Sequence, residues 1–240
     1  MDSGAVSILV GIDGGGTRTR IAVQNGGSLG EPLLVGASSL SRRGVVEVES
    51  ELRDAVSRAV AAPESVAAVC AGFASAGTRR ADYDAILRRI FPAARIRVLT
   101  DAELAWRGAF GGEDGIVVIS GTGSIAWGRY QRHQARAGGL GPGRDRGSGD
   151  WLAAHPGSAA QREAGRDLAA LVHDVAAQLA WPQPRVCAVG GVVENVAEVR
   201  RALAQSLPWP LAAPRASATA AALSVARSLL DPGPPPSASA

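Results

Sequence analysis

Apolar and polar stretches alternate along the chain in a way that predicts a mixed α/β fold. Short apolar runs bounded by glycine, proline or polar clusters are typical of buried strands, whereas apolar residues recurring every three or four positions are typical of helices. The apolar runs predict strands at 6–12, 18–24, 31–35, 65–73, 95–99, 115–120, 125–130 and 185–189. A further strand is expected after a chain reversal near 131–134. The helical spacing predicts helices at 45–61, 81–91, 102–110, 163–180, 190–204 and 218–229.

The order of these elements predicts two halves. Three strands precede the first helix, which indicates an antiparallel meander, and the later alternation indicates parallel strands added to the same sheet. The strand and helix pattern begins again after residue 100, so the sequence repeats its organisation with little identity in letters. We therefore expect an N-terminal lobe at 1–100 and a C-terminal lobe at 101–215. The proline-rich end, 231–240, is predicted to be a disordered tail.

Two glycine turns are candidate phosphate-binding loops. Asp13-Gly14-Gly15-Gly16-Thr17 follows the first strand, and Gly121-Thr122-Gly123-Ser124 follows a strand of the second half. Glycines let backbone N–H groups approach phosphate oxygens, the Thr17 hydroxyl can add a donor, and Asp13 can bind Mg²⁺. The first turn also fits a plain hairpin connection. The pairing of two such turns favours a nucleotide bound between the halves.

Three further positions are candidate site residues, each with a structural alternative. Asp101 lies between a predicted strand and a predicted helix, so it is either a general base or the N-cap of that helix. Asp145 can pair with Arg144 or Arg146 on a solvated loop, and this is the favoured local interpretation. The pair Gly190-Gly191 can bring backbone against a purine or ribose, or can simply begin a helix.

Composition excludes several classes of function. The net charge is only +3 and all 25 basic residues are arginines spread along the chain, which does not favour nucleic-acid binding and removes a lysine-based P-loop. Cys70 and Cys187 have no zinc-binding or disulfide spacing, and the three histidines have no ligand spacing. No apolar run reaches the ~20 residues of a membrane span, and the N-terminus does not resemble a signal peptide. A cytoplasmic protein is expected.

Taken together, four segments resemble the BadF/BadG/BcrA/BcrD ATPase family, and within it the N-acetylglucosamine and glucosamine kinases of the actin-like ATPase superfamily. The resemblance implies two ribonuclease H-like lobes, with ATP and a sugar in the cleft between them and the final helix, 216–230, packed on the first lobe. The segments are GIDGGGTRTRIAVQN, LTDAELAWRGAFGGEDGIVVISGTGSIAWGR, GPGRDRGSGDWLA and VCAVGGVVENV.

The resemblance also implies roles for individual residues. It makes Asp13 to Thr17 and Gly121 to Ser124 the two phosphate loops, with Asp13 as the metal ligand, and Gly190-Gly191 the adenosine-binding turn. It makes Asp101 the general base, and it places Asp145 and the Ser38-Ser39 pair at the sugar. The family's GDEGS segment is RDRGS here, so Arg146 is expected to change the charge beside the sugar, and the segment between Trp151 and Arg185 is shorter than in relatives.

The function implied is therefore ATP- and Mg²⁺-dependent phosphorylation of an amino sugar, N-acetylglucosamine or glucosamine, at the 6-hydroxyl. Two alternatives stay open. One is an ATPase activator of a CoA-ester dehydratase or reductase, and the other is a nucleotide-binding pseudokinase or sensor. The sequence does not distinguish the acceptor sugar and leaves the oligomeric state open, a homodimer included.

Overall fold

The computed structural model describes residues 7–141 and 143–231, and the predicted disordered tail lies outside this part except for Asp231. The chain divides into two compact units. Unit 1 runs up to Leu104 and resumes at Ala218, and unit 2 comprises Ala105–Ser217. The chain therefore passes from one unit to the other twice, once within a helix that begins at Asp101 and once before the last helix.

Unit 1 contains a six-stranded mixed sheet. The strands are β1 (Ile8–Gly14), β2 (Thr19–Asn25), β3 (Ser28–Leu29), β4 (Leu33–Val35), β5 (Val66–Phe73) and β6 (Arg95–Thr100). Their order in the sheet is β3-β2-β1-β5-β6, with β4 also paired to β2. The pairs β1/β2, β2/β3 and β2/β4 are antiparallel, while β1/β5 and β5/β6 are parallel, as the element order predicted.

Helices cover both faces of this sheet, which is why the central parallel strand β5 is apolar along its whole length. On one face, α1 (Val45–Ala59) and α2 (Ala76–Ile90) contribute Leu52 and Leu87 to the larger core cluster. On the other face, α8 (Ala218–Leu230) packs on β1 and β5. The close approach requires Gly11, because a Cβ there would lie 2.8 Å from the Thr219 carbonyl oxygen.

Unit 2 contains a second mixed sheet, of five strands. The strands are β7 (Gly115–Ser120), β8 (Ser124–Tyr130), β9 (His133–Gly138), β10 (Val186–Val189) and β11 (Leu211–Ala212). Their order is β11-β10-β7-β8-β9; β7/β8 and β8/β9 are antiparallel, and β10 is parallel to both β7 and β11. Gln131 and Arg132, with φ of 48° and 72°, form the tight turn between β8 and β9.

The helices of unit 2 are α3 (Asp101–Phe110, shared with unit 1), α4 (Gly149–Ala154), α5 (Ser158–Gln178), α6 (Gly191–Asn195) and α7 (Ala197–Gln205). Helices α4 to α7 form a core with β7, β8 and β10. Helices α5 and α7 pack closely on each other at Gly165, where a Cβ would lie 2.6 Å from the Ala202 Cβ. No helix in 7–141 or 143–231 is both long and apolar enough to cross a membrane.

Several predicted boundaries were wrong. Helix α2 begins at Ala76, five residues before the predicted 81. Its first turn has no apolar spacing that could indicate a helix, and it contains Arg79, whose backbone angles are not helical (φ −121°, ψ 26°). Helix α5 begins at Ser158 and not at Glu163. The single helix predicted from Gly190 to 204 is two helices that meet at Val196, whose φ and ψ are extended.

Three short elements were missed. No element was predicted in the glycine-rich segment 138–151, but α4 begins there at Gly149, and the Ser148 side chain accepts a hydrogen bond from the Trp151 amide as the N-cap. The two-residue strands β3 and β11 are too short to produce a periodic pattern. The predicted strand 31–35 is confined to Leu33–Val35.

Candidate active site

The first glycine turn joins β1 to β2 as a hairpin. The strand register closes at Gly14 opposite Thr19, and the Gly15 amide donates to the Arg18 carbonyl (2.9 Å). Gly15 and Gly16 are partly exposed, and Thr17 is exposed. The turn is therefore a hairpin, a geometry that both interpretations share, and the partly exposed backbone of Gly15 and Gly16 is accessible to a ligand. Phosphate binding by this turn stays a prediction.

Asp13 is the partly buried penultimate residue of β1 and faces Arg20 across the strand pair. The Asp13 carboxylate lies 3.7 Å from the Arg20 guanidinium, and 22% of the Asp13 side chain is exposed. Burial raises the pKa of Asp13 above its ordinary value, and the Arg20 charge opposes that rise. The carboxylate therefore sits beside the glycine turn with one distant cation as its partner.

Asp101 occupies the first residue of α3, at the carboxyl end of β6. Its carboxylate accepts a hydrogen bond from the Ala102 amide (2.8 Å) and is partly buried. The net pKa of Asp101 is raised to about 6. Burial is the main cause and the nearby Asp13 charge adds to it, while the hydrogen bond from the Ala102 amide opposes the rise. A carboxyl group with a pKa in this range can accept a proton near neutral pH.

The alternative role of Asp101 as the N-cap is wrong. The cap is Thr100, whose hydroxyl accepts a hydrogen bond from the Glu103 amide (3.0 Å). The sequence carried a signal for this, because Thr100 and Glu103 have the S/T-x-x-E spacing of a capping box. With the cap supplied by its neighbour, the Asp101 carboxylate is not required to begin the helix.

Ser38 and Ser39 lie in the loop between β4 and α1, and both are buried, with 2% and 1% exposed. The Ser38 hydroxyl accepts from the Thr19 hydroxyl (2.8 Å), and the Ser39 hydroxyl shares a hydrogen bond with Ser41 (2.8 Å). A sugar contact from either hydroxyl would have to replace these partners. Their predicted sugar-binding role remains a prediction.

The second glycine turn joins β7 to β8 in unit 2. The Gly121 amide donates to the Gly123 carbonyl (3.0 Å), and the Gly149 amide at the start of α4 donates to the Gly121 carbonyl (2.7 Å). Ser124 is buried and its hydroxyl donates to the Arg146 carbonyl (2.6 Å). The turn is thus fixed by α4 and by the 145–148 segment, with Gly123 exposed at its tip.

The favoured local interpretation of Asp145 was wrong. Asp145 is 7% exposed and accepts a hydrogen bond from the Leu140 amide (2.6 Å), so it is not a solvated ion-pair partner. Its other carboxylate oxygen lies beside Gly123, 2.8 Å from where a Cβ would be. Asp145 therefore lies against the second glycine turn, whereas Ser38, Ser39 and Asp101 belong to unit 1.

Arg146 points toward α5. Its guanidinium pairs with Asp167 (3.0 Å) and with Glu163, and lies 5.1 Å from the centre of the Trp151 ring. These two carboxylates, whose positions in the fold were not apparent from the local sequence, neutralise the charge that the RDRGS motif introduces.

Gly190 ends β10 in a conformation that favours glycine, with φ of 105°. A Cβ at Gly190 would lie 2.5 Å from the Ser120 carbonyl oxygen, so glycine is required for β10 to turn closely over the end of β7. The Gly190 amide donates to the Glu194 carboxylate (2.9 Å), and Gly191 is exposed at the start of α6. Both local interpretations of the Gly-Gly pair are compatible with this geometry.

A Mg²⁺ ion fits the donors present in unit 1. In phosphoryl-transfer sites Mg²⁺ binds one or two carboxylates together with phosphate oxygens and waters. Asp13 supplies a carboxylate at the edge of the glycine turn. Among the described residues no cluster of three or more metal-ligating side chains occurs, so an ion at Asp13 would take most of its ligands from a nucleotide and water.

Comparisons with known proteins identify relatives of the chain. Residues 10–165 match the model of the BadF/BadG/BcrA/BcrD ATPase family. An N-acetylmuramic acid/N-acetylglucosamine kinase from Clostridium acetobutylicum is 32% identical over 146 residues, which cover 55% of this chain and 46% of the relative. Glucosamine kinase GspK from Vibrio cholerae is 38% identical over 125 residues, covering 48% of this chain and 41% of the relative. The chain thus spans less than half the length of these two relatives.

Among solved structures, a candidate N-acetylglucosamine kinase from Chromobacterium violaceum superposes with a TM-score of 0.71 at 26% identity, covering 92% of this chain and 99% of that one. An ROK glucokinase from Streptomyces griseus, solved with glucose and AMPPNP, has a TM-score of 0.63 at 16% identity and supports the fold. The chain has the actin-like ATPase fold, as the family resemblance implied.

Proposed function

Because the chain belongs to the BadF/BadG/BcrA/BcrD ATPase family, we propose that it transfers the terminal phosphoryl group of ATP to the 6-hydroxyl of an amino sugar, N-acetylglucosamine or glucosamine. The observation that carries the proposal is Asp101, a partly buried carboxyl group whose pKa is raised to about 6, in the same unit as the first glycine turn. The kinases among its relatives support the choice of acceptor.

Asp101 is the proposed proton acceptor. The sugar hydroxyl oxygen attacks the γ-phosphorus, its proton passes to the Asp101 carboxylate, and the bond from the γ-phosphorus to the bridging oxygen breaks to release ADP. General-base assistance of this kind contributes roughly 10²- to 10⁴-fold. Since the Asp101 pKa is about 6, the carboxylate is mostly ionised at pH 7 and above.

The two glycine turns are proposed to bind the phosphates. Phosphoryl transfer depends on alignment and charge stabilisation more than on covalent participation by the protein. Backbone amides of Gly14, Gly15 and Gly16 with the Thr17 side chain would act in unit 1, and those of Gly121 to Ser124 in unit 2. Gly190-Gly191 would contact the adenosine. Mg²⁺, bound by Asp13, would neutralise phosphate charge.

The activator alternative is disfavoured by the two cysteines. Activators of this type resemble one another in having cysteines that hold an iron–sulfur cluster across a dimer, and such a cluster needs accessible thiolates. Cys70 and Cys187 are instead fully buried, in β5 and β10, each flanked by strands on both sides. Burial raises the pKa of Cys187 to about 11, so that thiol stays protonated at neutral pH.

A coupled ADP-release assay with a panel of hexoses and amino sugars tests the proposal. We expect ADP release only when an amino sugar is present, and no ADP release when the sugar is replaced by its 6-deoxy analogue. Release without sugar would favour the activator alternative, and nucleotide binding without any release would favour a sensor.

Asp101→Asn tests the assignment of the base. We expect nucleotide binding to persist while sugar-dependent turnover falls by roughly 10²-fold or more. The matched control is Asp54→Asn, the same change at an exposed position of α1, which should leave turnover intact. Undiminished turnover in Asp101→Asn would disprove the assignment.

A further inference from the structure

Tyr83 of α2 has a phenol oxygen whose hydrogen-bonding capacity is fully used. The side chain is completely buried. Its O–H donates to the Ser38 carbonyl (2.8 Å), and its oxygen accepts from the Leu40 amide (2.9 Å). The Ser75 hydroxyl is also hydrogen-bonded to this oxygen (2.7 Å), and we take it as the donor because the phenol proton is already used. A phenol has one proton and two acceptor lone pairs, so all three are engaged. Burial raises the pKa of Tyr83, which keeps the phenol neutral and able to donate.

Three separate contacts lead from Tyr83 to Gly14, the first residue of the glycine turn in unit 1. The Tyr83 ring stacks on Phe73, with centroids 3.9 Å apart, and Phe73 packs on Gly14, where a Cβ would lie 2.3 Å from the ring. Ser38 packs on Gly14 as well, with its hydroxyl 2.4 Å from the same Cβ position. Beside Ser75, the Ala74 amide donates to the Gly14 carbonyl (3.1 Å).

We infer that Tyr83 is a positioning residue for nucleotide phosphates, which acts through Phe73, Ser38 and the 74–75 turn to fix Gly14 and the hairpin turn that follows it. The inference rests on the proposed function only in that the turn binds phosphate. Tyr83 itself does not belong to the turn and was absent from the sequence-based candidates.

The physical reason is preorganisation. Removing the hydroxyl would leave three buried groups, the Ser38 carbonyl, the Leu40 amide and the Ser75 hydroxyl, without this partner, and a buried polar group without a partner is costly. The 38–40 loop would move to find other partners, and Ser38 would move away from Gly14. A turn that must be ordered by its ligand binds that ligand more weakly.

The experiment is Tyr83→Phe, which keeps the ring stacked on Phe73 and removes only the hydroxyl. Binding of Mg²⁺-ADP and of a non-hydrolysable ATP analogue is measured by calorimetry without sugar, after circular dichroism and a melting curve have shown that the variant is folded. We expect affinity to fall about tenfold, equivalent to about 1.4 kcal/mol. Tyr130→Phe is the matched control, because Tyr130 is the other tyrosine of the chain and lies in unit 2, where its hydroxyl accepts a hydrogen bond from the Gln131 side chain (3.1 Å).

Ser75→Ala is the second variant, and it removes one of the three hydrogen bonds while keeping Tyr83. We expect a loss of affinity of about threefold, in line with one buried hydrogen bond. A folded Tyr83→Phe that binds nucleotide as tightly as the wild type, or a lower melting temperature with full affinity, overturns the inference. Should Tyr83→Phe not fold, unchanged affinity in Ser75→Ala overturns it instead.

Failure of the proposed function gives a different result. A wild-type protein that binds nucleotide but phosphorylates no sugar refutes the kinase proposal, while the difference between Tyr83→Phe and Tyr130→Phe still decides the role of Tyr83. A wild-type protein that binds no nucleotide refutes both.

Discussion

The Asp101 carboxyl group is predicted to lower the stability of the folded protein at neutral pH. The ordinary pKa of an aspartate side chain is 3.8, whereas that of Asp101 is about 6 in the folded protein. The stability that the protonated group gives is therefore fully present below pH 3.8 and is lost as the pH rises through 6. The ionised group therefore costs up to about 3 kcal/mol at pH 8. Asp101→Asn removes this cost, because an amide does not ionise, and its oxygen can still accept from the Ala102 amide.

We expect Asp101→Asn to be more stable than the wild type at pH 8 and about equally stable at pH 4, as measured by urea denaturation at both values. The comparison isolates ionisation, since any change in packing would act at both pH values. An equal difference in free energy of unfolding at pH 4 and pH 8 would contradict the explanation.

Arg146 should matter less to activity than its place in the motif suggested. Its guanidinium pairs with Glu163 and Asp167 and is half exposed, and exposed ion pairs contribute about 0–1 kcal/mol. We expect Arg146→Gln to lower the melting temperature slightly and to change kcat/KM for the sugar by less than about threefold, since this free-energy range corresponds to small rate effects. A change of a hundredfold would show that the arginine acts at the site.

Side-chain direction limited what the sequence could predict at this scale. The identities of Asp13, Asp101 and Asp145 and the spacing of the glycine turns were readable from the letters. The carboxylates that pair with Arg146 lie 17 and 21 positions away in the sequence. The buried Asp145 carboxylate accepts its hydrogen bond from the backbone amide of Leu140. Neither follows from local spacing, because both depend on how loops fold over helices.

At the scale of elements, the contact between α5 and α7 depends on Gly165. A Cβ there would lie 2.6 Å from both the Ala202 Cβ and the Val199 carbonyl oxygen, so Gly165→Ala forces the helices apart. We expect it to lower the free energy of unfolding by about 1–3 kcal/mol, the usual cost of overpacking.

The control for Gly165→Ala is Gly77→Ala, the same change in α2. A Cβ at Gly77 meets nothing within 4 Å, so the higher helix propensity of alanine should raise stability by up to about 1 kcal/mol. Denaturation curves of the two variants should therefore shift in opposite directions. An increase in stability for Gly165→Ala would show that helix propensity, and not packing, governs Gly165.

The sequence predicted the strands more reliably than the helix starts. Strands such as β5 and β7 are continuous apolar runs bounded by glycine or polar residues, and their limits agree with the structure to within one residue. The first turns of α2 and α5 contain small or polar residues, of which only Ala76 is buried, so no apolar period indicates them. The break between α6 and α7 carries no glycine or proline at Val196.

At the scale of the whole molecule, the last helix returns to complete the unit that the first strand began. Ala222 of α8 is fully buried and packs on Gly11, 3.0 Å from where a Cβ would be. Ala222→Asp would bury an unpaired carboxylate, which we expect to cost at least about 3 kcal/mol. Thermal denaturation and protein solubility provide the measurements.

Ser224→Asp is the control for Ala222→Asp, because Ser224 is exposed on the same helix. It should change the melting temperature little. Equal effects of the two substitutions would indicate loss of helix propensity and not loss of the contact with the sheet.

The return of α8 could not be predicted from periodicity. Its sequence shows an apolar helix but not the sheet on which it packs, and only the family resemblance indicated the first lobe. The mixed parallel and antiparallel sheet order, by contrast, followed from the order of elements.

The distribution of the two cysteines has a practical consequence. Cys70 lies in the sheet of unit 1 and Cys187 in the sheet of unit 2, and both are fully buried. A thiol-specific reagent modifies a buried cysteine only when the surrounding structure opens. Labelling followed by peptide mapping would therefore measure the rate at which each unit opens, separately and within one intact chain, without any engineered cysteine.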